Sequence, residues 1–448
     1  MEKSNNPKSS SRNFFLEFRR WLSPGIGIKR WLIMILVGVT LLGMGVAVLV
    51  IDFYRNTDNS FWMQVLSFLS LRFLDRTIRA LIFGGVGLFF IGVGTVELNR
   101  SLLKPFVKPG EAILDTISAF RKKEKGPRIV TIGGGTGLSV LLRGLKLYTH
   151  NLTALVTVAD DGGSSGELRK SLGILPPGDI RACLAALSDD EELMTQLFQY
   201  RFGKNAGING HSLGNLLISA LSDITGSFED AVAESGKVLA VRGRVLPSTL
   251  HDVKLVAEIR LPDQTKEVKV IGESQISKIG GTIKHVWLEP GNPLPYPPAV
   301  QSILSADLIV VGPGSLYTSV LPNLLVPELA EALRVSKALK FYVCNVANQK
   351  GETDGYKILD HVRTIEKHLQ NQHFDVIVCN NDFSSKLPSG VEWVKADAEL
   401  EEQYSVYFAP LVDKENPWRH NSQLLAETIL DLFFERTGPL LNKQSAKE

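Results

Sequence analysis

The residues best suited to chemistry in this chain are glycines set at the ends of apolar runs. Gly133, Gly134, Gly135, Thr136 and Gly137 close a short β-branched stretch, residues 128–132. A helical pattern follows, with Leu138, Leu141, Leu142, Leu145 and Leu147 on one face. Glycines let the backbone approach an oxyanion closely, and a helix N-terminus adds unpaired N–H groups and a favourable dipole. This arrangement therefore reads as a phosphate-binding turn, with a tight structural connection as the competing reading. The next apolar run, 152–159, ends in Asp160 and Asp161. Carboxylates just past twenty residues after the glycines stand where a dinucleotide fold places its ribose contact, although the third glycine, Gly137, comes one position too early for a strict GxGxxG.

Further polar groups follow in order. Asp160 and Asp161 adjoin Gly162, Gly163, Ser164 and Ser165, a glycine-rich stretch through residue 166 that reads as a mobile phosphate nest, with the aspartates free for ribose or Mg²⁺. Asp179 is placed to cap the helix after Pro176-Pro177-Gly178, and Arg169 and Arg181 are the bases most available to phosphate. Gly210-His211-Ser212-Leu213-Gly214 fits the GxSxG form of a hydrolase elbow, but the preceding stretch is polar and glycine-rich rather than a strand. It reads instead as a second ligand-facing helix start, with His211, Ser212 and Asn215 presenting polar groups. A continuous apolar strand pattern, 306–311, ends in Gly312, Pro313, Gly314 and Ser315, and the next strand pattern, 339–343, leads to Asn345.

The elements that would position these residues alternate between apolar strands and helical patterns, so the fold class is α/β with a mostly parallel, Rossmann-like sheet. Residues 237–290 interrupt the alternation with four short strand patterns, 238–245, 253–259, 266–271 and 284–288, and read as a small β-rich insertion. The soluble domain spans 128–440, and a charged tail, 441–448, reads as disordered.

The N-terminal 99 residues differ in kind. Residues 31–51 form 21 uncharged positions, and 80–96 another 17, extendable to 78–98. Both read as spanning helices that precede the α/β domain, because about 20 residues cross a bilayer core. Basic residues flank the pair on its outer sides (Arg19, Arg20, Lys29 and Arg30 before; Arg100, Lys104 and Lys108 after), which places both ends in the cytoplasm at the plasma membrane. Residues 61–74 read as amphipathic and surface-lying, 111–120 as a short helix, and the basic 100–127 as a linker that could also meet lipid.

Composition excludes several classes. Net charge is +2 with mixed signs, so no basic field argues for nucleic acid. Cys183, Cys344 and Cys379 have neither disulfide nor zinc spacing.

As a set and in this order, GGGTGLS from Gly133, TVADDGGSSGELR from Thr157, PPGDIRACLAAL from Pro176, GHSLGN from Gly210, GPGSLYTSVLPNLLV from Gly312 and NQKGETDGY from Asn348 resemble the gluconeogenesis factor family. That family belongs with the 2-phospho-L-lactate transferases, and the resemblance covers roughly residues 128–436. It implies a Rossmann-like core that binds UDP-sugars such as UDP-N-acetylglucosamine, and a role in cell shape and wall synthesis during gluconeogenic growth. The related transferases move a phospholactyl group from a nucleotide diphosphate onto a deazaflavin, with Mg²⁺. By motif, the turns at Gly133 and Gly312 would hold phosphates, Asp160 and Asp161 would lie near ribose or metal, and Asn215 close by. The resemblance favours a regulatory binder, with a transferase as the alternative. It also suggests cell-wall synthesis proteins as partners, with a homo-oligomer open. The membrane hairpin is not part of the family pattern so identified.

Overall fold

The computed structural model describes residues 123–438 except 190, 204–207, 209, 263–265 and 370–372, with residues 73–103 and positions 37, 39, 40, 43, 46, 47, 68 and 71. Apart from those scattered positions, the expectations for 31–51, 61–72, 111–120 and 441–448 lie outside the described residues. The chain divides into two compact units, Met1–Arg121 and Lys122–Glu448.

In the first unit the second apolar run forms the helix Arg76–Leu103. Its 19-residue stretch Thr77–Thr95 reaches a mean hydropathy of 1.8 over an 18-residue window and is the one helix among the described residues long and apolar enough to cross a membrane. Leu81, Leu88, Phe89 and Phe90 stand exposed on it. Nineteen residues rise about 28 Å, close to the hydrocarbon thickness. Of the two expected spans, one is thus present as a candidate and the other rests on sequence.

The second unit is built on strands that are apolar on both faces. β1 (Ile129–Gly133) and β2 (Leu152–Val156) are buried at every position, and β3 (Arg244–Pro247) follows after five helices. β4 (Lys254–Arg260), β5 (Glu267–Ile271) and β6 (Thr282–Glu289) make a separate antiparallel sheet, order β5-β4-β6, with the helix Glu273–Ile279 between β5 and β6. β7 (Leu308–Val311), β8 (Leu339–Val343), β9 (Val376–Asn380) and β10 (Val406–Ala409) return to the first sheet. The order of that sheet is β10-β9-β8-β7-β1-β2-β3, and every pair is parallel. Continuous Val/Ile/Leu runs suit this, since a parallel sheet carries helices on both faces.

The strand order reverses between β1 and β7, which pair as Ile132↔Val311. The chain runs outward from β1 through β2 to β3, and then from β7 through β8 and β9 to β10. A crevice opens at such a reversal beyond the carboxyl ends of the strands. Both glycine turns sit there, one after β1 and one after β7.

Two expectations are corrected. Residues 238–245 are not one strand of the insertion. The helix Phe228–Val238 runs into that stretch, N-capped by Ser227 and burying Phe228, Ala231, Val232 and Ser235 at helical spacing. Only β3 is extended, and it pairs with β2 at the edge of the main sheet. Nor is 162–166 a loose loop: the helix Gly163–Leu172 begins there, with Ser164, Ser165 and Gly166 buried. A Cβ at Gly166 would collide with the Asp161 backbone, so close packing is what the glycine serves.

Candidate functional site

The first turn is made by β1 stopping at Gly133 and the helix Gly135–Leu145 starting two residues later. Gly134 is extended, and Gly135 has φ +61°, a left-handed conformation natural to glycine. A Cβ on Gly137 would come within 2.7 Å of the Pro313 carbonyl oxygen and 2.9 Å of Gly314 Cα, so the two turns touch backbone to backbone. Asn323 Nδ2 donates to the Gly133 carbonyl at 2.8 Å. Asn345 grips the second turn from both sides: its Oδ1 accepts from Gly314 N at 3.1 Å and its Nδ2 donates to Gly314 O at 2.8 Å. Ser315 donates to Gln349, whose Nε2 donates to Glu352 Oε1 at 2.8 Å.

These turns line a cleft of about 500 Å³, with residues 345–350, Val391 and Trp418, Arg419 and His420 completing its wall. The near side offers backbone N–H groups at a helix start, and the far side offers an aromatic ring and polar side chains. Trp418 is 40% exposed, and His420 is buried. Gly134–Gly137, Gly314, Ser315 and Asn345 are thus brought together.

The other predicted site residues do not line this cleft among the described residues. Ser164 Oγ meets His211 Nδ1 at 2.9 Å and accepts from Asn215 Nδ2 at 3.0 Å, while Asn215 Oδ1 accepts from Arg181 Nε at 2.8 Å. His211 Nε2 lies 3.3 Å from Glu167. Ser212 is fully buried and accepts from Asn215 N at 3.3 Å as the N-cap of the helix Leu213–Thr225. This network ties three helices together and uses its own hydrogen bonds. Arg181, expected to be available to phosphate, gives its Nε to this network and its Nη1 to the Phe198 carbonyl at 3.4 Å. Arg169 is likewise held, donating from Nε to Asp252 at 2.7 Å and from Nη1 to the Asp160 carbonyl at 3.2 Å.

Beside the first turn lies a group of carboxylates. Asp179, expected to cap its own helix, instead accepts from Gly135 N, and its side chain occupies the space a Cβ on Gly134 would need. Burial and the nearby Asp160 push its carboxyl up to about 7. Asp160 Oδ1 accepts from Gly162 N at 2.8 Å, and burial raises its carboxyl. Asp161 Oδ1 accepts from Ser274 N at 2.8 Å and so anchors the first turn of the insertion's helix. That helix presents Glu273, whose carboxyl is raised to about 8 by burial, then by Asp160, Glu352, Asp179 and Asp161.

The sequence model of the CofD family, 2-phospho-L-lactate transferase CofD, matches residues 129–411. A relative from Nostoc sp. (strain PCC 7120) named as a gluconeogenesis factor is 45% identical, covering 92% of this chain and 91% of its own length. The gluconeogenesis factor of Bacillus subtilis (strain 168) is 46% identical over 69% of this chain and 99% of its own. The chain belongs to the gluconeogenesis factor family. A crystal structure of protein BH3568 from Bacillus halodurans is 46% identical, covers 68% of this chain and 99% of that one, and superposes with a TM-score of 0.64. Relatives therefore come in a short form that matches the second unit and a long form. The Nostoc match must run well into the first hundred residues, which corrects the expectation that the N-terminal segment lies outside the family pattern.

Sequence reasoning missed the chemical importance of four places. Asp179 looked like a cap because Pro-Pro-Gly-Asp precedes a helix. Glu273 carried no signal, since its meaning comes from the insertion folding back. Glu352 was visible only as part of a polar loop. Residues 418–420, an aromatic, a base and a histidine in a loop before the last helix, were legible as a cluster and went unread.

Mg²⁺ is the metal that the family resemblance implies. Among the described residues no set of three His, Cys, Asp or Glu is placed to hold an ion. Mg²⁺ keeps waters and takes one or two carboxylates beside substrate phosphates, so a three-residue cage is not required. Asp160 and Asp161 are oxygen donors of the kind that mode uses, and they belong to the carboxylate group beside the first turn rather than to the cleft wall.

Proposed function

We propose that the chain is a nucleotide-sugar-binding regulatory factor, taking a UDP-N-acetylglucosamine-like ligand, that acts in cell shape and wall synthesis during gluconeogenic growth. One observation carries the reading: two glycine turns in backbone contact at the reversal of strand order, facing a cleft of about 500 Å³. Backbone N–H groups there suit a diphosphate, and the Trp418 side suits a sugar or base. The candidate helix Thr77–Thr95 and the apolar run before it anchor the factor in the plasma membrane with its α/β unit in the cytoplasm. Wall-synthesis proteins at that membrane are its partners.

A second reading, a transferase with a nucleotide diphosphate donor, draws on the CofD match and on two carboxyls titrating near neutrality, Asp179 at about 7 and Glu273 at about 8. Here Mg²⁺, held by Asp160 and Asp161 together with the ligand's phosphates, would neutralise charge on the phosphate. Calorimetry on the full chain in detergent, titrating UDP-N-acetylglucosamine, NAD and GDP with Mg²⁺, tests both. Saturable binding with the UDP-sugar recovered intact by mass spectrometry supports the factor. A cleaved or transferred ligand moves the transferase to first place, and binding of no UDP-sugar removes the primary reading.

A further inference from the structure

Two residues on the cleft wall carry bonding capacity that the fold leaves unused. Asn348 is 8% exposed and His420 6% exposed, both line the cleft, and Asn348 Oδ1 and His420 Nε2 are buried atoms without a hydrogen-bond partner among the described residues. A buried polar atom left unpaired costs about 1–3 kcal/mol, so native structures retain few of them.

The chemistry of both atoms is determined by what holds the rest of each side chain. Asn348 Nδ2 donates to the Tyr356 carbonyl at 3.0 Å, and a carbonyl can only accept, so the amide orientation is set and the free atom is an oxygen. The other ring nitrogen of His420 is hydrogen-bonded to the Cys344 carbonyl and must carry the proton. Burial lowers this imidazole to about 4, so at neutral pH Nε2 keeps its lone pair. Each site is therefore an acceptor, in contrast to the N–H donors of the glycine turns.

We propose that Asn348 and His420 are specificity-determining residues, each accepting a hydrogen bond from an O–H or N–H of the sugar part of a nucleotide sugar whose phosphates lie on the glycine turns. This rests on the nucleotide-sugar reading of the cleft. A sugar ring, with several hydroxyls and here an acetamide N–H, can supply both donors. A uracil edge places one N–H between two carbonyl oxygens and cannot satisfy two acceptors. Phosphate oxygens have no donor to give, and the two ribose hydroxyls, the remaining donors, are shared with UDP, so UDP titration separates them from the sugar.

The test uses the full chain in detergent and calorimetry with UDP-N-acetylglucosamine and UDP as probes. His420→Phe and Asn348→Leu each weaken UDP-N-acetylglucosamine about tenfold and leave UDP affinity unchanged. Wild-type protein titrated with UDP-sugars lacking one hydroxyl or the acetamide N–H in turn gives an independent answer should a variant not fold. Two of these analogues lose about tenfold, and His420→Phe becomes insensitive to one of the two deletions. Equal loss of UDP and UDP-sugar in the variants, or parent-like binding of every analogue, overturns the assignment while the nucleotide-sugar reading stands. Absence of any UDP-sugar binding to the wild type removes the reading itself and the assignment with it.

Discussion

Two polar regions flank the same sheet end and are built from similar residue types, yet they do opposite work. The Ser164–His211–Asn215–Arg181 network spends its hydrogen bonds internally and binds three helices together. The cleft wall at Asn348 and His420 leaves acceptors unused, and the glycine turns beside it expose backbone. Residue type did not distinguish them, because serine, histidine and asparagine serve either purpose. Closure of the hydrogen-bond account does: a satisfied network stabilises the fold, and an unsatisfied one has capacity for a ligand.

The comparison breaks most sharply at Asn215. Asn215→Leu leaves the Arg181 guanidinium buried without its Oδ1 partner and should lower unfolding free energy by about 3 kcal/mol in denaturant titration. Binding of UDP-N-acetylglucosamine by the folded fraction should be unchanged; a loss of affinity there would place the network in the site. On the other side, Gly137→Ala forces a methyl to within 2.7 Å of the Pro313 carbonyl and pushes the two turns apart. Overpacking costs about 1–3 kcal/mol, and where that strain falls on the ligand-bearing turns affinity should drop by about fivefold to about a hundredfold, read by calorimetry.

A third experiment concerns the carboxylates between the two regions. Glu273 titrates at about 8 in the folded chain against 4.5 for the ordinary group. Its folded form binds the proton more tightly, so stability is fully present below about pH 4.5 and is lost as pH rises through 8. Thermal unfolding of the wild type should therefore weaken between pH 5 and pH 8.5. Glu273→Gln should flatten that slope and raise stability at pH 8.5 by on the order of 2 kcal/mol. An unchanged slope would mean that neither burial nor the neighbouring carboxylates raise the Glu273 carboxyl. The smallest effect is at Ser212, where Ser212→Ala removes an N-cap and should cost about 1 kcal/mol without touching ligand affinity. Loss of a hydrolytic activity in that variant would instead revive the nucleophile-elbow reading.

Much of the architecture was legible because it is local. The strand cores 129–132, 152–156, 308–311 and 339–343 announce themselves as short runs rich in Val, Ile and Leu, with Lys340 the one charge among them, and the glycines after two of them mark where the chain turns toward a ligand edge. The stretch 238–245 was misread because Val238 at the helix end and Leu239, Ala240 and Val241 after it read as one apolar run with the start of β3. Periodicity alone does not separate a buried helix end from a strand. The site was half legible: its glycine wall stood out, whereas Glu273, Asn348 and His420 acquire their roles only from partners dozens or hundreds of positions away.

By itself, then, the sequence determined the α/β class, the two glycine turns, the family and an apolar N-terminal segment, all of which depend on residues adjacent in the chain. Tertiary structure alone decided that β1 and β7 lie side by side so that the two turns meet. It also decided that the insertion brings Glu273 to Asp160, and that Ser212 is consumed by the fold as an N-cap while Asn348 and His420 keep an unpaired acceptor. The physical reason is that hydrogen-bond satisfaction and electrostatic crowding are properties of neighbours in space, and a linear pattern does not encode which neighbours those are.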